Sequence, residues 1–537
     1  MNNVTPTPEV DLIAPEWYNV AQDIDRFAED RTKIALYWEN AQGETRIIPY
    51  WQLKEESNRL ANGLRALGVK KGDKVVILLP RIPESYVAYL ACLKLGAVLM
   101  PGSELLRAKD ILYRVNHAGA KAIIGYRTLV DEVDAIRAEA PSLTHFVVIG
   151  GEAHGWVRYE DVVAGQPVAF ETEKTHRDDL AFLLYTSGTT GNPKGVMHTH
   201  GWAYAHRAVA ATYWLDIRDT DIVWATASPG WAKWLWSPFV STLASGAAGF
   251  AYHGRFEPEK YLQLLEKYRI NVLCCTPTEY RLMAKVDNLE RFRLYLRSAV
   301  SAGEPLNREV IDTFRRHFGV QVRDGYGQTE NTLLVATMVG MEVRPGSMGK
   351  PTPAARMAII DEDGNPVPPG VVGDIAVHRS APALFKGYYN DPERTAQAFR
   401  GDWYVTGDQA RMDEDGYLWF EGRADDIIIS AGYTIGPFEV EDALVKHPAV
   451  QECAVVASPD EVRGSIVKAF VVLKNPADAS DALVAELQEH VKKLTAPYKY
   501  PREIEFVTEL PKTTSGKIRR VELRQLERER KRDRIGR

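Results

Sequence analysis

Cysteine is scarce in this sequence, with 4 residues in 537. None of them has the spacing of a metal-ligand set, and two stand side by side in an apolar run, where buried thiols are expected. So few cysteines are typical of a reducing compartment. The residues are Cys92, Cys274, Cys275 and Cys453.

Long apolar runs and an excess of basic charge are missing as well. Residues 86–100 are the most apolar stretch, but Lys94 and Gly96 interrupt it before it reaches the length of a membrane span. The formal net charge of -6 implies no nucleic-acid partner. Residues 1–20 contain no arginine and resemble neither a signal nor a transit peptide. We therefore predict a cytoplasmic protein with no membrane span.

The first part of the chain shows the alternating pattern of an α/β fold. A length of 537 residues suggests two or more domains. Short apolar runs alternate with helical patterns, which is typical of parallel strands covered by helices. The predicted strands lie at 75–79, 98–100, 122–124 and 146–149, and the predicted helices at 84–95 and 109–118.

A domain boundary is expected in the second part. Residues 357–378 contain strand-like runs broken by turn sequences, which indicates a small β unit. The polar stretch 422–426 follows, and a new pattern of helices and strands begins after it. We predict a large N-terminal domain, residues 1–424, and a small α+β C-terminal domain, residues 425–537.

The loop at residues 185–195 is the strongest chemical signal. It follows an apolar run at 180–184, and we expect a strand before it and a helix after it. Glycines let the backbone present N–H groups to an anion, while hydroxyls and a mobile ammonium complete a phosphate cradle. A flexible turn is the alternative. The cradle residues are Thr186, Ser187, Gly188, Thr189, Thr190 and Lys194.

Two further polar motifs follow apolar strands, where open α/β sheets bind ligands. The first is Gly303-Glu304-Pro305, and the second, residues 324–330, comes after a predicted strand at 320–322. The second motif offers an acceptor for an exocyclic amine, a ring for a purine, a donor for phosphate and a carboxylate for Mg²⁺. These are, in that order, Asp324, Tyr326, Thr329 and Glu330.

Two charged residues complete the pattern. Asp408 follows a strand-like run, and its carboxylate suits the hydroxyls of a ribose. Lys517 lies in a loop, residues 512–517, that has no hydrophobic anchor of its own, where a lysine is usually just solvated.

In their order and spacing, these motifs resemble the signatures of the adenylate-forming superfamily, which contains acyl-CoA synthetases, luciferases and adenylation domains of peptide synthetases. The similarity covers nearly the whole chain and is greatest to medium-chain acyl-CoA synthetases. It implies a large AMP-binding domain and a small mobile C-terminal domain that rotates about Asp425.

The resemblance also implies the residues that bind ATP with Mg²⁺. Glu330 would hold Mg²⁺, Thr329 and Lys517 the α-phosphate, and His200 the carboxylate end of the acid pocket, so these four are the expected catalytic residues. The remaining implied ATP or AMP contacts are Thr186, Ser187, Gly188, Thr189, Thr190, Lys194, Gly303, Glu304, Pro305, Asp324, Gly325, Tyr326, Gly327, Gln328, Asp408 and Arg423.

Contacts to coenzyme A follow from the same resemblance. A glycine beside the pantetheine and cations for the phosphates are implied. Many relatives carry arginine where this chain has Thr434, which weakens one expected phosphate contact unless other cations compensate. The implied contacts are Gly432, Tyr433, Arg463, Lys492 and Tyr500.

The acid pocket is expected to accept more than two carbons. Acetate-specific relatives carry tryptophan at the position of Gly327, and its absence implies a deeper slot. Trp231 matches the pocket tryptophan of the family. Trp234 and Trp236 are expected in the core, and Lys233 in solvent.

Together these residues imply an acid–CoA ligase that forms an acyl-adenylate and then a thioester. Fatty acids of medium or branched short chain are expected, with aryl acids as an alternative. A ligase that transfers the acyl group to a separate carrier protein, or a non-catalytic module that binds an adenylate, would also fit the motifs. The sequence leaves open whether the chain forms a homo-oligomer and whether acylation of Lys517 regulates it.

Overall fold

The computed structural model describes residues 10–186, 192–303, 306, 308–431, 433–495, 497–512 and 516–535. The chain divides into two compact units. The first is Met1–Arg356 with His378–Phe399, and the second is Met357–Val377 with Arg400–Arg537. Residue 425 falls inside the second unit, so the domain boundary at this residue stays a prediction.

One sheet of the first unit confirms the α/β pattern at residues 73–151. Its inner strands pair in parallel, and its last two strands form an antiparallel hairpin. Every inner strand is apolar and nearly fully buried, as expected for a parallel sheet covered on both faces. In spatial order the strands are Val157–Arg158, His145–Ile149, Ala122–Tyr126, Lys74–Leu78, Val98–Pro101, Leu180–Thr186 and Lys194–Thr199.

The second sheet of this unit carries the other polar motifs. Its central strands are parallel, and antiparallel strands lie on both sides of them. In spatial order the strands are Ser347–Pro351, Leu333–Ala336, Val322–Gly327, Ser298–Ala302, Val272–Cys275, Ile222–Ala225, Ala248–His253, Ile34–Asn40 and Thr45–Pro49.

Several helices of both units begin at a proline, whose fixed φ and missing N–H suit the first helical position. The helices of the first unit are Val20–Asp25, Tyr50–Leu67, Pro83–Lys94, Ala108–Ala118, Val130–Asp134, Tyr159–Val163, His200–Val209, Ala232–Trp234, Pro258–Lys267, Pro277–Ala284, Arg308–Phe318 and Pro392–Gln397. Throughout the described ranges, no helix combines the length and the apolarity that crossing a membrane requires. The cysteines carry free, buried thiols, as predicted.

The second unit contains the small β unit and the C-terminal elements. Its strands are Met357–Ile360, Gly373–His378, Trp403–Met412, Leu418–Arg423, Ile428–Ser430, Tyr433–Ile435, Val450–Asp460, Gly464–Leu473 and Glu503–Phe506. Its helices are Pro437–Val445, Asp481–Leu494 and Arg520–Ile535. The last helix begins three residues after Lys517.

Charged pairs hold this last helix. Arg520 forms a bidentate pair with Glu441, and Lys468 binds the buried carboxylate of Glu527 at 2.8 Å. Arg524 pairs with Asp426, and both side chains are nearly buried. Removing one partner of such a pair leaves an uncompensated buried charge, which costs far more than the loss of a surface pair.

Arg524→Gln is therefore expected to lower the free energy of unfolding by about 3 kcal/mol, because the buried carboxylate of Asp426 loses its cation. Lys446→Gln is the control, since Lys446 and Asp442 pair at the surface and their loss should cost less than about 1 kcal/mol. Urea unfolding followed by circular dichroism compares the two. Equal destabilisation would contradict a dominant role for the buried pair.

Candidate active site

The phosphate-cradle loop connects two antiparallel strands rather than a strand and a helix. Thr186 ends the first strand and stands opposite Lys194, which begins the second. The expected helix starts only at His200, because the alternating residues of 194–199 pair with Leu180–Thr186 first. The hydroxyl of Thr186 is buried and has no hydrogen-bond partner among the described residues, which suits a donor to a phosphate oxygen.

Part of the cradle lies outside the described residues. This holds for Ser187, Gly188, Thr189 and Thr190, and likewise for Glu304, Pro305 and Gly432. Their implied contacts stay predictions.

The motif at 324–330 begins inside a strand, not after one. The strand runs over Val322–Gly327, because Gly325 and Tyr326 pair with Leu333–Ala336 despite the two glycines. Gly325 also stands beside Ala302 on the neighbouring parallel strand. The strand end that carries Gly303 and the motif at 324–330 are therefore adjacent, as the sequence predicted.

Asp324 is almost fully buried in this strand. Its Oδ1 accepts the N–H of Gly325 at 2.8 Å, and burial raises the pKa of its carboxyl to about 8. At neutral pH the group is therefore mostly protonated. Acceptance from an exocyclic amine stays a prediction.

Three stacked aromatic rings hold the segment that follows, residues 329–332. His198 stacks on Trp202 with ring centroids 4.3 Å apart, and Trp202 stacks on His206 at 5.1 Å. We call these three residues the aromatic ladder. The spacing of four places the rings on one side of the helix His200–Val209 and of the residues leading into it.

Each ring of the ladder binds the segment 329–332. His198 Nε2 lies 2.5 Å from the carbonyl oxygen of Thr329, so this nitrogen donates. Trp202 Nε1 donates to the carbonyl of Asn331 at 2.9 Å, and His206 Nδ1 lies 2.6 Å from the hydroxyl of Thr332. The ladder thus fixes the backbone on either side of Glu330.

Burial keeps both histidines of the ladder neutral. It lowers the pKa of His198 to about 4 and that of His206 to about 3. Their folded-state pKa values lie below those of the unfolded chain, so the unfolded chain binds more protons between about pH 6.5 and pH 4. The stability they contribute is complete above pH 6.5 and is lost as the pH falls through this window.

The free energy of unfolding should fall when the pH is lowered from 7.5 to 5. In His198→Gln this fall should be smaller by roughly 2 kcal/mol, because an amide can donate to Thr329 but does not titrate. Urea unfolding at both pH values measures this difference. His154→Gln, at an exposed histidine, is the control and should leave the pH dependence unchanged. A parallel shift of both variants would contradict the neutral state of His198.

His200, expected at the carboxylate end of the acid pocket, is 0% exposed. Its place in that pocket stays a prediction. Its Nδ1 accepts the N–H of Val20 at 3.3 Å, and burial lowers its pKa to about 4. The ring therefore joins the N-terminal helix to the start of His200–Val209.

The glycine at 327 also has a packing role. A Cβ on this residue would lie 2.1 Å from the carbonyl oxygen of Thr332, so glycine allows a close backbone approach at a β-bulge. The role of Gly327 in the depth of the acid pocket stays a prediction.

The indole-rich stretch behaves partly as predicted. Trp234 is buried against Tyr86 and Tyr89, which confirms its place in the core. Trp231 is half-buried, and its role in the acid pocket stays a prediction. Lys233 was expected in solvent, but it is half-buried and its ammonium donates to the carbonyl of Ala302.

In the second unit the two implied ribose contacts come together. Asp408 and Arg423 stand directly opposite each other on antiparallel strands, with Arg423 Nη1 3.6 Å from Asp408 Oδ1. Asp408 lies within the strand Trp403–Met412 and is nearly buried. The sequence placed Asp408 after a strand-like run, but the strand continues through it because the pairing with Leu418–Arg423 satisfies its backbone.

The predicted hinge residue lies in a turn at the end of these strands. Ala424 N–H donates to the carbonyl of Gly407 at 2.8 Å, and Asp426 N–H donates to that of Arg423 at 2.9 Å. The carboxylate of Asp425 is half-exposed and lies 3.4 Å from Arg423 and 3.6 Å from Arg524. Solvent reaches this side chain, and the role of Asp425 as a hinge stays a prediction.

Lys517 is exposed, as expected, but its loop has the anchor that the sequence had seemed to lack. Ile518 packs against a small core that includes Leu510, and it forms a bridge with Lys512. Arg519 N–H closes the loop on the carbonyl of Pro511 at 2.8 Å. Both ends of the loop at residues 512–517 are thus held by contacts within the second unit.

The implied coenzyme A contacts form two groups. The carbonyl of Arg463 accepts the N–H of Ala431 at 2.9 Å, and its side chain donates to Ser430 at 3.2 Å, next to the hairpin of Tyr433. Lys492 lies elsewhere, with its ammonium 4.3 Å from the ring centroid of Tyr500. Each group offers a cation for a phosphate, and both assignments stay predictions.

Known families match this chain over most of its length. The model described as AMP-binding enzyme matches residues 24–389, and that of the AMP-binding enzyme C-terminal domain matches residues 439–517. The chain belongs to the AMP-binding enzyme family.

Individual relatives agree with this assignment. YtcI, an uncharacterized acyl–CoA ligase of Bacillus subtilis (strain 168), is 60% identical over 96% of this chain and 97% of its own. The mitochondrial acyl-coenzyme A synthetase ACSM3 of Homo sapiens is 43% identical over 96% of this chain and 90% of its own. The crystal structure of the anthranilate CoA ligase AuaEII with anthranoyl-AMP has a TM-score of 0.90 and 33% sequence identity. The match covers 96% of this chain and 98% of that one. The resemblance and the α/β fold class are both confirmed.

Sequence analysis missed two structural supports of the site. The ladder had a signal, since His198, Trp202 and His206 recur at intervals of four, but this spacing was not used for a prediction. Tyr388 contacts Glu330 and had no signal, because the two lie 58 positions apart in sequence.

Proposed function

We propose that this chain joins a fatty acid of medium or branched short chain to coenzyme A. The chain is an AMP-forming acid–CoA ligase that uses ATP with Mg²⁺. Relatives that match nearly its whole length are named acyl–CoA ligase and acyl-coenzyme A synthetase. The observation that supports the residue roles is the ladder, which holds the backbone on either side of Glu330 beside the strand that begins after the cradle.

The first half-reaction brings two anions together. The acid carboxylate attacks the α-phosphorus of MgATP, the bond to pyrophosphate breaks, and an acyl-adenylate forms. Lys194 and the Thr186 hydroxyl would hold the departing phosphates, while Thr329 and Lys517 would offset the charge on the α-phosphate. Glu330 would orient the bound Mg²⁺, and Asp408 with Arg423 the ribose.

The second half-reaction needs a different group beside the adenylate. The thiolate of coenzyme A attacks the acyl carbonyl, and AMP leaves. We infer that rotation about Asp425 withdraws Lys517 and presents the hairpin of Tyr433 with Arg463. Acylation of Lys517 would remove the charge that the first step needs, because the side chain is exposed.

The acid itself is supported less directly. The indole of Trp231, which matches the pocket tryptophan of the family, favours an apolar acyl group. Each added methylene contributes roughly 0.8 kcal/mol, so selection among chain lengths should be gradual. An aryl acid is the second candidate, because the anthranilate ligase shares the fold at a TM-score of 0.90. A cytoplasmic location agrees with four free thiols, and a homo-oligomer stays open.

A panel of straight, branched and aromatic acids tests this proposal through AMP release with free coenzyme A. Release that rises with chain length to a medium-chain optimum supports it. Preference for aromatic acids would favour the aryl alternative, AMP formation without consumption of free coenzyme A would favour a carrier protein, and no release with any acid would favour a binding module.

Lys517→Ala should lower acid-dependent pyrophosphate exchange by roughly 10²–10³-fold, because the ammonium that offsets charge in the first step is lost. Thioester formation from supplied acyl-adenylate should survive. Lys512→Ala is the control, since Lys512 pairs with Glu452 at 2.8 Å and needs no role in the chemistry. An equal loss of both half-reactions would contradict the division of labour.

A further inference from the structure

A short segment outside the predicted motifs runs along the strand that follows the phosphate cradle. Lys386 N–H donates to the carbonyl of Met197 at 3.0 Å, and Tyr389 N–H donates to that of Gly195 at 2.7 Å. Between them, Tyr388 forms a bridge with Val196. The backbone of Tyr388 is thereby fixed to the strand that begins at Lys194.

The side chain of Tyr388 touches two charged residues of the candidate site. Its hydroxyl donates to Glu330 Oε2 at 2.9 Å. The ammonium of Lys194 lies 4.8 Å from the centroid of its ring, within the range of a cation–π contact. The ring is only 4% exposed, so both contacts are shielded from water.

The backbone of Glu330 is held from the same segment. Phe385 N–H donates to the carbonyl of Glu330 at 2.8 Å, and the Phe385 ring packs edge-on against Tyr388 at 4.9 Å. Together with the ladder bonds to Thr329 and Asn331, this leaves the backbone of Glu330 little freedom. The hydroxyl of Tyr388 then restricts the rotation of the carboxylate itself.

We propose that Tyr388 is a positioning residue for nucleotide binding, which orients the Glu330 carboxylate toward Mg²⁺ and keeps Lys194 in place for the phosphates. The inference rests on the proposed function of Glu330 and Lys194. A hydrogen bond from an outer residue fixes a ligating carboxylate, and its loss typically weakens metal binding 10–100-fold. Because Tyr388 touches both Glu330 and Lys194, it positions the metal contact and the phosphate contact together.

The test separates the hydroxyl from the ring. Tyr388→Phe removes only the donor to Glu330, and we expect the Mg²⁺ concentration for half-maximal pyrophosphate exchange to rise about tenfold. Tyr388→Leu also removes the ring beside Lys194, and we expect a further severalfold rise in the KM for MgATP. Thioester formation from supplied acyl-adenylate should be unchanged in both variants.

Tyr389→Phe is the matched control, because the neighbouring tyrosine packs on Lys74 and His117 and should leave the Mg²⁺ dependence as in the wild type. An unchanged Mg²⁺ dependence in Tyr388→Phe would overturn the proposal, as would an equal fall in both half-reactions with a lower melting temperature, which indicates a purely structural role. Absence of acid-dependent exchange in the wild type would instead overturn the proposed function, and this inference with it.

Discussion

The candidate site depends on the hydrogen bonds between the aromatic ladder and residues 329–332. Thr329 and Glu330 follow the end of the strand Val322–Gly327, where pairing with the neighbouring strands no longer holds the backbone. The aromatic ladder holds it instead, through bonds to Thr329, Asn331 and Thr332. The segment 329–332 is thus held in place by packing and hydrogen bonds of the protein itself.

The same contact joins the two sheets of the first unit. The ladder stands on the strand and helix that follow the phosphate cradle, while the segment it holds follows a strand of the other sheet. The strand that follows the cradle and the motif at 324–330 are therefore linked by buried groups. Their neutrality is essential to this arrangement, since a charged imidazole in so apolar a stack would be strongly unfavourable.

The sequence predicted the strands, the motifs and their class because these depend on local patterns. Buried parallel strands are apolar runs, and glycine-rich polar loops at their ends carry a recognisable composition. Contacts between distant residues escaped prediction. Tyr388 meets Glu330 only because an edge segment pairs with the strand at Lys194, and Ile518 anchors the Lys517 loop through a core that forms in three dimensions.

Some residue types serve two purposes, which a sequence pattern alone does not separate. Gly327 suggested an open pocket, and glycine there also allows the close approach of the Thr332 carbonyl. His200 resembled a pocket residue, and it is buried against Val20. In both cases packing explains the residue type without a substrate, and the predicted role in the acid pocket stays a prediction.

The most direct measurement is a crystal structure with Mg²⁺ and α,β-methylene ATP, which cannot be cleaved at the α-phosphorus. We predict an α-phosphate oxygen within about 3.2 Å of the Thr329 hydroxyl, with Glu330 facing the metal and His198 still bound to the Thr329 carbonyl. A nucleotide bound away from Thr329 and Glu330, or a segment 329–332 detached from the ladder in the complex, would contradict this account of the site.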